Sequence, residues 1–225
     1  MKKSTILRGI FYVAGLLILA LGIILNTKSG LGVSPIISVS YSISTIAELN
    51  FGNTTFLLYT VFVMIEIFLH VFVRHGRTEK LSLILMKDVM QLPLSLVFTR
   101  FMNLFSELIP APSHGLSSQL FTLMGGILLT GIGAAMSLNM RIIPNPGDGI
   151  VQAIADCIGK TVGFTKNCFD LVSICITIII SLVFAHKLIG VGLGTVVSVL
   201  GVGRVIATFN HLFMNKMAAA AGMKP

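Results

Sequence analysis

Apolar residues in this chain come in long runs separated by short polar breaks. The runs at 8–27, 53–73, 83–105, 119–139, 167–185 and 189–213 each approach the ~20 residues that an α-helix needs to cross a bilayer. A shorter apolar stretch, 33–48, follows the first run, and 141–160 occupies the same place after the fourth. The whole pattern is doubled. Shifted by 111 positions, Gly15 falls on Gly126, Gly22 on Gly133, Pro35 on Pro146, Gly52 on Gly163 and Thr54 on Thr165, with no gap between 15 and 75. Ser34-Pro35 lands on Asn145-Pro146, and both dipeptides sit in breaks between apolar runs. The pattern predicts two copies, 8–108 and 118–215, of three long helices and one short one, forming one membrane domain over 1–225.

Composition agrees. Apolar residues make up 55% of the 225, charged residues 11%, and the mean hydropathy is +0.95, whereas soluble domains carry about 25% charged residues. Such a chain cannot cover itself with a polar surface, so the lipid bilayer is its first expected partner. The first run reads as a span rather than a cleaved signal peptide, because it is longer than the ~7–15 residues of a signal-peptide core and lacks a small-residue cleavage site. A net charge of +8 raises nucleic acid as a partner. The basic residues flank the spans instead of forming a face, which excludes it. Cys157, Cys168 and Cys175 are odd in number and lack CxxC spacing, so neither a disulfide framework nor a zinc site is expected. His70 and His75 sit at helix spacing but lack a third ligand, so no metal or cofactor is expected either.

Charge also orients the spans. If the two short stretches dip into the membrane and return, Lys2, Lys3, Arg8, Arg74, Arg77, Lys80, Arg141, Lys160, Lys166, Lys216 and Lys224 share one side. Only Lys28 and Lys187 face the other. That bias identifies the basic side as cytoplasmic, with both termini there. Three full spans per copy is an odd number, so the second copy must insert upside down. The expected fold is an all-α polytopic membrane protein of six full transmembrane helices plus two short re-entrant half-helices, arranged as two inverted-topology repeats.

The breaks supply the candidate chemistry. Ser34 and Asn145 suit N-caps, and Pro35 and Pro146 suit first helical positions, which predicts short helices over 35–48 and 146–160. Non-helical backbone at membrane depth survives only where protein or a water-filled cavity covers it, so the two breaks should meet near the midplane. Their helix starts would offer unpaired N–H groups and partial positive charge to an anion or oxygen-rich ligand. Asp148 complicates this. It reads either as part of a capping box with Asn145 or as a lone carboxylate that takes up a proton or cation; copy one has Ile37 there. Further polar residues fall within apolar runs. Arg204 needs a partner, Asp170 or Asp148. Asp170 matches Tyr59 of the other copy. Gln91 and Gln152 are neutral donors and acceptors, and Ser38 alternates with bulky neighbours. Lys87-Asp88 suits the interface, and Glu66, flanked by bulky apolar residues, carries a weaker claim.

The stretches GLGVSPIISVSYSIS (30–44), NPGDGIVQAI (145–154) and IGVGLGTVVSVLGVG (189–203) resemble the YczE/YyaS/YitT-type family of bacterial integral membrane proteins. Ser34, Pro35, Pro146, Gly147, Asp148, Gly149, Gly194 and Thr195 carry the resemblance over nearly the whole chain. It implies the YczE-like branch, which lacks a soluble C-terminal domain, and a bacterial inner-membrane location.

Together these readings give a candidate substrate-binding set of Ser34, Pro35, Ser38, Gln91, Asn145, Pro146, Gly147, Asp148, Gly149, Gln152, Asp170, Thr195 and Arg204. The expected function is transport, or channelling, of a small polar or anionic solute through a midplane site. Two alternatives stay open: a non-transporting accessory membrane protein, and the substrate-binding subunit of a larger importer. A second copy of the chain or another membrane protein is the further partner these admit. No HExxH, GxSxG or Cys/His pairing points to an enzyme.

Overall fold

The computed structural model describes residues 3–73, 80–112 and 115–223. Lys2, Arg74, Arg77 and Lys224, on which part of the charge argument rests, and His75 of the metal reading lie outside the described residues. Eight α-helices run along these: α1 Lys3–Lys28, α2 Pro35–Ile46, α3 Phe51–Phe72, α4 Leu81–Leu108, α5 Leu116–Asn139, α6 Pro146–Ile158, α7 Val162–Ile180 and α8 Leu193–Ala220. A π-helical turn, Ser181–Ala185, extends α7. Among the described residues, six helices are long and apolar enough to cross a bilayer: α1, α3, α4, α5, α7 with its π-turn, and α8. At about 1.5 Å per residue, α2 with 12 residues and α6 with 13 fall short of a ~30 Å hydrocarbon core.

The boundaries reproduce the doubled pattern. α6 and α7 begin 111 residues after α2 and α3, and α8 begins 112 after α4. The chain packs as two compact units, each drawing helices from both copies. Unit 1 comprises Met1–Ser34, Phe101–Ile142 and Gly190–Pro225; unit 2 comprises Pro35–Arg100 and Ile143–Ile189.

Unit 1 is built on α1 against α5. Glycine lets the two backbones touch, the usual device where lipid removes any hydrophobic drive between helices. A Cβ on Gly15 would lie 2.7 Å from the amide nitrogen of Ser137, and one on Gly126 would lie 2.6 Å from that of Asn26. These contacts are reciprocal, because Gly126 and Ser137 are Gly15 and Asn26 shifted by 111. Gly22 against the backbone of Thr130 and Gly133 against that of Leu19 form a second such pair. Numbers rise along α1 as they fall along α5, so the two helices run antiparallel. Arg8, near the start of α1, donates to the carbonyls of Met140 (2.8 Å) and Arg141 (3.0 Å) beyond the end of α5, where a cation complements the helix C-terminus. At the same end Gly222, past α8, lies against the side chain of Ser4. At the other end Gly32, at φ +121° and with Thr195 and Gly192 pressed against it, leaves no space for a side chain. Here the limb before α2 bonds the loop before α8, through Val33 N–H to Gly190 O (2.9 Å) and Gly194 N–H to Leu31 O (2.7 Å).

In unit 2, α2 and α7 are laced by Ser38–Thr177 (2.8 Å) and Ser42–Ser181 (3.1 Å), so they run parallel. α3 and the first part of α4 run antiparallel, through His70–Asp88 (2.6 Å) and Gln91–Glu66 (2.7 Å). Phe62 of α3 packs its ring on Tyr59 of its own helix and on Phe169 of α7.

Candidate functional site

The start of α6 organises unit 2. Asn145 adopts extended backbone at φ −66°, ψ 140°, and Pro146 opens the helix, as the sequence predicts. The cap bond runs from Gly147 N–H to Asn145 Oδ1 at 3.2 Å. The next two amides, Asp148 and Gly149, both donate to the Asn145 carbonyl at 2.8 Å. This corrects one expectation. The first N–H groups of α6 are engaged within the chain, so the helix start presents the Asp148 carboxylate rather than open donors. The reciprocal capping box is also replaced, since the Asn145 side chain caps Gly147 and not Asp148.

The starts of the two short helices meet. A Cβ on Gly147 would lie 3.6 Å from Ile36 Cγ2 and 3.8 Å from the Tyr59 ring. Ile36 and Gly147 correspond under the 111-residue shift. Tyr59, 2% exposed, shares a hydrogen bond with the Asn145 side chain.

Asp148, partly exposed, lies within electrostatic range of Lys166 and Asp170. Asp170 is buried and pairs with Lys166, one turn earlier on α7, at 3.5 Å. Thr165 sits beside Lys166 with its hydroxyl buried and without a hydrogen-bond partner.

On its other side the first turn of α6 meets α3 and α4. A Cβ on Gly149 would lie 2.7 Å from Glu66 Oε1, 2.9 Å from Glu66 Oε2 and 3.1 Å from Gln91 Oε1. Glu66 is 1% exposed and Gln91 0%. One turn further along α3, His70 bonds the buried Asp88 of α4.

Under the 111-residue shift Ser38 becomes Gly149 and Thr177 becomes Glu66. A serine–threonine hydrogen bond between the copies is therefore matched by a glycine–glutamate contact between them. Sequence reasoning ranked Glu66 low because its chain neighbours are bulky and apolar. The signal was the pairing of Glu66 and His70 with Thr177 and Ser181 across the copies, polar at both places in both.

The remaining expected site residues are distributed as follows. Pro35 is buried at the start of α2, and Ser34 precedes it as the last residue of the first segment of unit 1. The Ser38 hydroxyl also donates to Pro35 O. Gln152 is exposed and donates to Asp156 on its own helix at 2.8 Å. Thr195 is buried in unit 1, accepting from Gly192 N–H at 3.2 Å and donating to Gly190 O at 3.3 Å. Arg204 is exposed in unit 1, and the expected partner Asp170 is taken by Lys166. Among the described residues no group of three potential ligands could hold a metal.

Six long apolar helices with large lipid-type side chains such as Phe121 and Leu193 turned outward define a multi-span α-helical membrane protein. The chain belongs to DUF6198, a family of unknown function, whose profile matches residues 6–211. It is 25% identical over 211 residues to the uncharacterized membrane protein YczE of Bacillus subtilis (strain 168), a match covering 92% of this chain and 86% of that one. This bears out the resemblance read from the sequence. No solved structure matches.

Proposed function

We propose that the chain is a small-solute transporter of the bacterial inner membrane, with both termini cytoplasmic and its site in unit 2 where α2 and α6 begin. One observation carries this reading: the two short helices meet start to start at Ile36 and Gly147. A residue that touches its own counterpart lies on a two-fold axis, so the contact supports two inverted copies with α2 and α6 as re-entrant half-helices. The reciprocal glycine contacts of α1 and α5 support the same relation inside unit 1. Paired helix breaks in inverted copies are the setting in which transporters bind solute.

The surrounding charge narrows the solute. Among the described acidic residues only Glu107 falls outside unit 2. Asp148 and Asp170 flank the meeting point with one half-buried counter-charge, Lys166. Unpaired acid at membrane depth favours a cationic or neutral polar solute over an anion. Binding and translocation need no bond-making step, so the reading is non-enzymatic.

Uptake by proteoliposomes tests it, with radiolabelled monoamines, amino acids and small sugars as probes. Wild type should move at least one class, and Asp148→Asn and Asp170→Asn should each cut that uptake about tenfold, the loss of roughly 1.4 kcal/mol of binding. Equal uptake by variants and wild type, or no flux of any probe with stable co-purification of another membrane protein, would replace transport by an accessory role.

A further inference from the structure

Glu66 and Gln91 face each other from α3 and α4, and the pair is half finished. Gln91 Nε2 donates to Glu66 Oε2 at 2.7 Å. Glu66 Oε1 and Gln91 Oε1 are buried and have no hydrogen-bond partner. Both turn toward the same small space against Gly149, 2.7 and 3.1 Å from where a Cβ would stand. Buried acceptors without donors are costly, the more so in a membrane interior. What the site lacks is a donor.

The space decides which donor. The point both oxygens approach is one bond length from the Gly149 Cα. With the Gly149 Cα so near, that point admits neither a metal ion nor a solute group. A proton needs no room. A carboxylic acid and a primary amide pair through two bonds, amide N–H to acid C=O and acid O–H to amide C=O. The first of these is in place. A proton on Glu66 Oε1 would supply the second and give both orphan oxygens a partner.

The surroundings favour this form. On α3 the neighbouring ionisable group is His70, which is engaged by Asp88 of α4. Asp88 itself lies within electrostatic range of Glu66, adding negative charge. From α6 comes Asp148, in electrostatic range of Lys166 and Asp170 on α7. Among the described residues Glu66 has no cationic neighbour within ion-pair distance, and the charge acting on it is that of Asp88.

We propose that Glu66 is a proton-carrying group, holding its proton on Oε1 and sharing it with Gln91 Oε1. Released to the aqueous phase as H⁺, the proton leaves a carboxylate bare against the first turn of α6. The role of that proton in coupling rests on the transport reading; its place on Glu66 does not.

Infrared spectroscopy of the full chain in lipid nanodiscs tests the site without any solute. Wild type at neutral pH should show the carbonyl band of a protonated carboxylic acid. Glu66→Gln should lose it, Asp88→Asn and Asp148→Asn should keep it, and Gln91→Leu should shift it to higher frequency as the acid loses its partner. A wild-type spectrum without the band overturns the proposal even if no variant folds, and so does a band that survives Glu66→Gln. Proteoliposome uptake separates the two readings. Glu66→Gln should abolish the response of uptake to an imposed pH gradient. A band without flux leaves the proton site standing and removes transport. Flux driven by sodium and indifferent to pH removes the proton's role in coupling and leaves transport.

Discussion

The clearest residue-level contrast is between two adjacent glycines on α5. Gly125 has open space where a Cβ would point, whereas Gly126 presses on the backbone of Asn26. Alanine stabilises an open helical position by roughly 0.5–1 kcal/mol. Where the obstacle is a neighbouring backbone, the same methyl forces the helices apart at a cost of about 1–3 kcal/mol. Gly126→Ala should therefore lower the stability of the purified protein by about that amount, and Gly125→Ala should leave it equal or higher. Thermal unfolding in detergent, followed by loss of the monodisperse species, measures both, and equal effects would refute the close-packed α1–α5 interface. This contrast could not be read from the sequence, where the two residues form one Gly-Gly pair. The shift of 111 singled out Gly126 as the counterpart of Gly15, but which face it turned to required the register of α5 on α1. The same gap hid the Glu66–Gln91 pair: the pattern placed both residues inside spans and carried no register between α3, α4 and α6.

At the scale of elements, boundaries were legible and contacts were not. The Asn-Pro and Ser-Pro dipeptides announced α6 and α2 because proline fixes the first-turn dihedral and asparagine or serine supplies a cap. The helix start offers fewer open donors than the capping pattern suggests, since the side chain of Asn145 takes up the Gly147 amide and its carbonyl the Asp148 amide. Short polar side chains then join the elements. Ser38 and Thr177 tie α2 to α7, and each also bonds a carbonyl on its own helix, Pro35 O for Ser38 and Ser173 O for Thr177. Hydrogen bonds between membrane helices average only ~0.6 kcal/mol. A double-mutant cycle of Ser38→Ala with Thr177→Val, read by reversible unfolding in mixed micelles, should return a coupling of about that size. Strict additivity would mean that the two hydroxyls do not share a bond in the membrane.

For the whole molecule, neither unit belongs to one copy. Unit 1 needs α1 from the first and α5 and α8 from the second; unit 2 needs α2 and α3 as well as α6 and α7. Separate polypeptides of 1–112 and 113–225 should accordingly co-purify when co-expressed, and each alone should aggregate or be degraded; a stable, monodisperse 1–112 species would contradict the shared units. The interleaving also sets a timetable. The groove at Gly15 and Gly22 receives its partner only after translation passes α5, and unit 1 closes only when the ribosome has reached α8. Throughout that interval the nascent chain holds lipid or an insertion chaperone in the place of its own helices. Premature termination at any point before the last helix therefore leaves an orphan for the membrane proteases rather than a smaller working protein.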